Sequence, residues 1–461
     1  MYRTTHINIS KTSYLYPYMD EMTYHVAKLY NRANFIVRQF YTAMKAFEQM
    51  KLLHENQLKI IHLVHDNLAG TKYFPKGKWL SYYSLDYLLK VTKDPAYYNL
   101  PAQVNQQTLK SLYRDYKAFF EALKSYNLHP ELFKSKPKLP HYTDHSKTAV
   151  FTDQVVHVKK NSLGFPVLKF PLTKETLRIT AVPSDCRVKE VRVTPVHNKF
   201  KLGIVYEIPD KGIEIKKDSE ILRRLKKLKT LDDLRVLSID PGVDNLCSIT
   251  NNFGENPVLL KGQVLKSVNQ FYNKQKAAYQ SISYVCNQRY MTERIRQITS
   301  KRNNRMLDLL HKTSHMITEY AVKHHVNVVI MGHNVFQKQE ISIGHVNNQN
   351  FVQIPFSVLT GMLRYKLAEA GITFVLTEES YTSKADFLAG DAIPVYSKEK
   401  AGTYTFSGER IKRGLYRHGD GTITNADING SANILRKVFP KVSQWDRGIV
   451  DMPCTVVRIS A

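Results

Sequence analysis

The order of elements readable from Leu231 onward leaves few folds open. "LRVLSID" is an apolar run that ends on Asp240 and is broken by "PGVD"; "LCSIT" and "VLLKG" follow as further strands around the turn residues Asn251, Asn252 and Gly254. Helical periodicity then runs from Val268 to Arg289 and from Thr292 to His324. Next come the strand "VNVVIMG", the helix "FSVLTGMLRYKLAEAG" with its glycine stop at Gly371, the strand "ITFVLTEE", an insertion over 384–424, and a last helix in "NADINGSANILRKVF".

Three antiparallel strands, helix, strand, helix, strand, helix is the order of the ribonuclease H-like fold, a mixed sheet with helices on both faces. In an open α/β sheet the chemistry gathers outside the carboxyl ends of the parallel strands. Asp240 lies at such an end, although a lone "DxG" also serves as an ordinary turn. Asp427 begins the final helix, where it or Asn425 could simply cap the amino terminus. Capping does not need the run of small residues Gly430, Ser431 and Ala432 one turn later, which lets the helix approach the sheet closely.

Two carboxylates brought together repel unless cations sit between them, and two-metal phosphodiester cleavage normally uses a third acid. The middle strand should supply it. Its end, "VVIMGHN", offers Met331, Gly332 and His333 instead. The neighbouring strand finishes "VLTEES", one strand spacing of roughly 5 Å away, which a glutamate can largely span. Glu378 or Glu379 therefore replaces the absent acid. Successive residues point to opposite faces, so one of the two serves; Glu379, nearer the turn, is preferred.

The first third of the chain is mostly helical, from Met19 to about Asp66 and again in "LPAQVNQQTLKSLYRDYKAFFEALK", where Leu109, Leu112, Tyr116, Phe119 and Leu123 share a face. After the linker "KSKPKLPHY" the pattern changes to period two. Phe200, Leu202, Ile204, Tyr206 and Ile208 in "KFKLGIVYEI", with "AVFTDQVVHVKK" and "CRVKEVRVTPV", predict an antiparallel barrel or sandwich between Ala149 and Asp210. "IKKDSEILRRLKKLKTLDD" reads as a charged linker or a short solvated helix.

Charge narrows the partner. The 67 Lys and Arg exceed the 40 Asp and Glu by 27, a balance that suits a polyanion and that an enzyme for small neutral substrates has no reason to keep. Arg294, Arg296, Lys301, Arg302 and Arg305 in "TERIRQITSKRNNR" are spaced to track phosphates. In "GERIKRGLYR" the cations Arg410, Lys412, Arg413 and Arg417 surround Tyr416, an aromatic able to stack an unpaired base. The cysteines Cys186, Cys247, Cys286 and Cys454 form no CxxC pair, which predicts reduced thiols and no structural zinc. No long apolar run or signal-like amino terminus appears, so a soluble, unexported chain with no membrane partner is expected.

Taken together, "SIDPGVDNLCSIT", "KRNNRMLDLLHKTS", "NNQNFVQIPF", "TEESYTSKADFL", "FSGERIKRGLYR" and "NADINGSANILRKVFP" resemble the TnpB family, the insertion-sequence proteins that are RNA-guided DNA nucleases and relatives of type V CRISPR effectors. The resemblance implies an α/β multidomain chain. A helical recognition domain would cover 11–142, and a wedge-like β-barrel 1–10 with 143–215. A charged linker would follow over 216–230, then a RuvC-like nuclease domain over 231–440 with a lid-like insertion at 384–424, and a tail over 441–461.

It further implies a guide RNA from the transposon end, a double-stranded DNA target read by base pairing beside a short flanking motif, Mg²⁺ or alternatively Mn²⁺ on Asp240, Glu379 and Asp427, and the cognate transposase of the same element as a further partner. Two departures stand out: many relatives carry the glutamate on the strand that reads "VVIMGHN" here, and many carry a four-cysteine zinc ribbon in the insertion. "TEESYTSKADFL" is similar to a branch in which the glutamate has moved. The alternatives are a nuclease-dead RNA-guided repressor and, more distantly, a transposase catalysing strand transfer.

Overall fold

The computed structural model describes residues 2–74, 79–180, 182–183, 186–208, 217–333, 354–397, 403–412, 414–442 and 444–459. The chain forms two compact units, Met1–Lys211 and Gly212–Ala461.

In the first unit, strand β1 (Tyr2–Ile9) leads into the helices α1 (Tyr16–Glu48), α2 (Glu55–Leu68), α3 (Tyr82–Val91), α4 (Pro95–Tyr98) and α5 (Ala102–Leu128). The helix expected from Met19 to Asp66 is two helices. Met50 adopts φ 51°, and the exposed Met50 and Leu52 that follow α1 offer nothing to bury, while His54 and Gln57 form a capping box that restarts the helix. On α5 the residues Leu109, Leu112 and Tyr116 are buried; Phe119 packs at the edge of the same core.

The strands β2 (Ala149–Thr152), β3 (His157–Lys160), β4 (Pro166–Lys169), β5 (Thr176–Arg178), β6 (Val188–Val196) and β7 (Lys199–Glu207) pair as two antiparallel sheets, in the orders β1-β7-β6-β2 and β3-β4-β5. Phe200, Leu202, Ile204 and Tyr206 all face the core, as the alternation required.

The second unit opens on α6 (Asp218–Leu225), so the charged stretch is a docked helix: Leu225 is buried, and Arg364 donates to both Asp218 oxygens at 2.9 and 2.8 Å. Then come β8 (Val236–Pro241), β9 (Asn245–Asn251), β10 (Val258–Lys261), α7 (Gln263–Asn287), α8 (Glu293–Lys323), β11 (Val328–His333), α9 (Phe356–Glu369) and β12 (Thr373–Glu378). Gly371, at φ +76°, ends α9 and lets the Ile372 N–H return to the Leu367 carbonyl.

A small sheet of β13 (Glu409–Lys412), β14 (Leu415–Arg417) and β15 (Ile423–Asn425) precedes α10 (Ala426–Val438). The last residues, expected to trail as a tail, instead supply α11 (Gly448–Asp451), with Ile449 and Val450 buried, and β16 (Thr455–Arg458). β16 is the sixth strand of the main sheet, whose order is β12-β11-β8-β9-β10-β16.

β8, β11 and β12 run parallel, and β9 is antiparallel to β8 and β10. Along β11, Val329 and Met331 enter one core, while Val328 and Ile330 enter the other with Ile428, Ala432 and Ile434 of α10. A strand buried on both faces cannot alternate in polarity, which is why "VNVVIMG" is a continuous apolar run.

Candidate active site

The acids lie where the parallel strands end. Val236 and Ser238 share the parity of Asp240 on β8 and face α10. Helix and strand meet closely because small residues stand between them. Ser238 Oγ donates to the Ser431 carbonyl at 2.6 Å, Ser431 Oγ donates to the Ser238 carbonyl at 2.8 Å, and a Cβ on Gly430 would stand only 2.6 Å from Asp240 Oδ2.

Asn425 caps the helix, its Oδ1 accepting from the Asp427 and Ile428 N–H groups at 2.9 and 3.2 Å. The Asp427 carboxylate is thereby left for other partners. It accepts from Asn245 Nδ2 and from Arg410 Nη2, both at 2.7 Å.

Gly332 accounts for the acid missing from the middle strand. Met331 pairs with Ile239, so Gly332 stands level with Asp240 on the adjacent strand. A Cβ there would lie 2.5 Å from Glu379 Oε2 and 2.7 Å from Ile434 Cδ1. The space that a side chain on β11 would fill is therefore taken by the Glu379 carboxylate and α10. Glu379 also shares the parity of Val375, which packs in the core beneath α10.

Glu378 is engaged elsewhere, paired with the Lys437 ammonium and accepting the Ser380 N–H. Burial works against its ionisation, yet those bonds prevail and hold its carboxyl below the usual range. His333 is exposed at the strand end.

Burial is the first influence on Asp240, and the charges of Glu379 and Asp427 add to it, pushing the Asp240 carboxyl well above its ordinary range against the opposing pull of Arg410. Negative charge crowded from three segments is what a divalent cation relieves, and an all-oxygen donor set suits a hard ion such as Mg²⁺. As the side chains stand, no three His, Cys, Asp or Glu among the described residues form a ready metal cage. Asp427 gives one oxygen to Arg410 and the other to Asn245, so the donor chemistry fits a cation while Arg410 holds one place at it.

Two site residues had no signal in the sequence. Asn245 is held by Lys261, whose Nζ donates to its Oδ1 at 2.8 Å and so turns its amide N–H toward Asp427. Lys437 also donates to the Ser380 carbonyl at 2.9 Å and ties the turn after β12 to α10.

The basic residues divide. Arg294, Lys301, Arg302 and Arg305 line one groove between α7 and α8, and Arg296 is exposed outside that lining. Arg302 is partly buried, donating to Asn269 Oδ1 at 2.8 Å. In the small sheet, Arg417 pairs with Glu409, Lys412 is exposed, and Arg413, like most of "NNQNFVQIPF", lies outside the described residues. Tyr416 is a correction: it is fully buried, donating to the Lys384 carbonyl at 2.8 Å, so it offers no face to a base.

Buried hydrogen bonds hold the insertion together. Asp386 and His418 meet at 2.5 Å, the other imidazole nitrogen lies 2.8 Å from Thr424 Oγ1, and Asp386 accepts from the Gly419, Leu388 and Ala389 N–H groups. Asn429 and Asn433 of α10 donate to the Ala385 carbonyl at 2.9 and 2.6 Å, fastening the insertion to the helix that bears Asp427.

Residues 204–337 match the family model OrfB_IS605, described as a probable transposase, and residues 356–434 match the Cas12f1-like TNB domain. No curated protein matches the sequence. Among solved structures, the Cas12f1–sgRNA–target DNA complex aligns at 13% identity over 93% of this chain and 83% of that one, with a TM-score of 0.52, which shows a shared fold. The mini-RNA-guided endonuclease CRISPR-Cas_phi3 aligns at 10% identity over 97% and 94%, with a TM-score of 0.44, and C2c1 of Alicyclobacillus acidoterrestris with single-guide RNA at 11% over 89% and 70%, with a TM-score of 0.40. An OrfB_IS605 segment followed by a Cas12f1-like TNB domain, in a mixed α/β fold shared with Cas12f1, is consistent with the TnpB-like family that the motifs of this chain resemble.

Proposed function

We propose that the protein is an RNA-guided DNA endonuclease of an insertion-sequence element, with a RuvC-like nuclease domain in its second unit and a helical lobe with a wedge-like β region in its first. The observation that carries the proposal is the fit of the Asp240 and Glu379 carboxylates against Gly430 and Gly332, where a Cβ would stand 2.6 and 2.5 Å from them, at the start of the helix that bears Asp427. The sheet order supports the RuvC-like assignment, because the parallel strands β8, β11 and β12 end on one edge beside the start of α10.

Asp240, Glu379 and Asp427 would hold divalent cations, which supply Lewis-acid stabilisation of the phosphoryl and leaving oxygens and a more acidic water. The chain's own groups do the positioning. Asn245 orients Asp427, Lys437 draws Glu378 away and fixes the turn that presents Glu379, and the tight β8–α10 contact fixes Asp240. Guide RNA and matched double-stranded DNA are the proposed partners, with Mg²⁺ the proposed ion.

The test is cleavage of plasmid bearing a matched target by the purified protein with its transposon-end RNA. Glu379→Gln should abolish Mg²⁺-dependent cutting and Glu378→Gln should retain it; full activity in both would leave the site one acid short and sink the proposal. One observation favours a binding-only protein, the engagement of both Asp427 oxygens by Arg410 and Asn245. Target binding without cutting by the wild-type complex would establish that rival.

A further inference from the structure

α7 and α8 enclose a groove with a cavity of about 650 Å³, within the range of sites that hold one small organic group. Its floor is apolar, from Val264, Val268 and Ile298, and on its wall Phe271 is 66% exposed. A single exposed ring is ordinary on a protein surface; what sets Phe271 apart is its place on the wall of an apolar-floored groove. The neighbouring ring, Tyr272, is already used: Arg302 lies 5.7 Å from its centroid, and its hydroxyl is 3.0 Å from Thr299 Oγ1. Around the mouth stand the exposed cations Arg294, Lys301 and Arg305, and among the described residues no acid lines the groove.

An apolar partner alone would not call for that ring of cations, and a duplex would present base edges and not faces. An unpaired nucleotide satisfies both features, since every base has a π-face for an aromatic ring and a phosphate on either side. We infer that this groove seats an unpaired nucleotide of a bound nucleic-acid strand, with its base against Phe271 and its flanking phosphates on Arg294, Lys301 and Arg305. The inference rests on nucleic acid as the partner in the proposed function and is independent of cleavage.

The experiment uses full-length Asp427→Asn protein, unable to cut, carrying Phe271→Trp as a local reporter. Its tryptophan fluorescence, taken as the difference from the same protein with Phe271, is titrated with twelve-nucleotide oligo(U), oligo(dT) and the corresponding duplexes. Quenching by oligo(U), oligo(dT) or both, and not by duplex, is expected and tells which strand type enters the groove. Phe271→Ala should weaken single-strand binding about 5- to 150-fold with its salt dependence unchanged, as loss of one stacked base does.

Replacing Arg294, Lys301 and Arg305 by Gln should make the slope of log K against log salt shallower by about 1.4, at roughly 0.7 for each of the two flanking phosphates left without a cation. Absent quenching, equal quenching by duplex, or an unmoved slope would overturn the inference. Because the reporter protein cannot cleave, a failure here leaves the nuclease proposal standing, and a failure of the acid-site variants leaves this groove standing.

Discussion

Replacing Gly430 by alanine separates the acid site from the stability of the fold. An ideal Cβ at this position would sit 2.6 Å from Asp240 Oδ2, where ordinary contact begins at 3.4 Å, so about 0.8 Å must be found. The helix cannot easily yield it, because the paired Ser238 and Ser431 bonds at 2.6 and 2.8 Å tie that turn of α10 to β8. The Asp240 carboxylate must move instead.

Gly to Ala inside a helix gains about 1 kcal/mol, overpacking costs about 1–3 kcal/mol, and the net loss of about 0–2 kcal/mol lies well within the stability of an ordinary domain. A displacement approaching 1 Å at a reacting group costs about 100-fold in rate. The expected result is therefore cleavage reduced about 100-fold, with a Tm lowered by no more than about 8 °C and RNA binding unchanged. Gly361→Ala is the control, since Gly361 lies in α9 with nothing within 4 Å of its Cβ: it should gain stability and keep full cleavage. Wild-type cleavage by Gly430→Ala, in a protein of normal Tm, would refute the placement of Asp240.

Arg410→Gln removes the guanidinium from Asp427 Oδ1, so Mg²⁺ should stabilise the nucleic-acid-free protein at lower concentrations than it does the wild type, read as a thermal shift. An unchanged Mg²⁺ dependence would mean that Arg410 does not compete at the acids. Asp386→Asn removes the charge from a fully buried carboxylate and should cost about 3–5 kcal/mol, exposing the segment 384–424 to limited proteolysis while the first unit stays protected.

Burial raises the Asp386 carboxyl, but the hydrogen bonds from His418 and from the Gly419 and Ala389 N–H groups outweigh it, and the group stays below its ordinary 3.8. A depressed carboxylate stabilises the fold above its unfolded value and loses that contribution as pH falls through the folded one. The Asp386 contribution should therefore persist down to about pH 4 and disappear below it, as judged by proteolysis of the same segment. Loss already at pH 6 would contradict the assignment.

Apolar periodicity reports which faces are buried, so β8 to β12 and α7 to α10 of the second unit were legible in the sequence, down to the doubly buried strand β11, whereas the small sheet β13–β15, α11 and β16 were not. The break between α1 and α2 was not, because it depends on a positive φ at Met50, a residue whose type carries no turn signal. Residue type could propose Asp240, Glu379 and Asp427, yet it could not reveal that Arg410 and Asn245 share Asp427, nor that Lys437 engages Glu378. Those are contacts between segments far apart in the chain, made by polar residues that look the same whether solvated or docked. Tyr416 shows the converse error: a tyrosine among cations looks exposed until the strand that carries it is folded inward.

Gly332 and Glu379 share one site from two strands. On adjacent parallel strands, a side chain at the end of β11 and one arriving from beyond the end of β12 compete for the same volume above Asp240, and a Cβ at 332 already falls 2.5 Å from the Glu379 carboxylate. An acid on each strand would therefore clash as well as repel. With the Glu379 carboxylate in that space, glycine is the one residue type position 332 accommodates, and the neighbouring Glu378 is drawn off by Lys437 from the same helix that carries Asp427. The acid on β12 thus carries two dependencies that an acid on β11 would not have, a glycine on one side and a lysine on the other. Gly332 lies against α10 and Lys437 belongs to it, the helix whose small-residue face already sets the distance to Asp240.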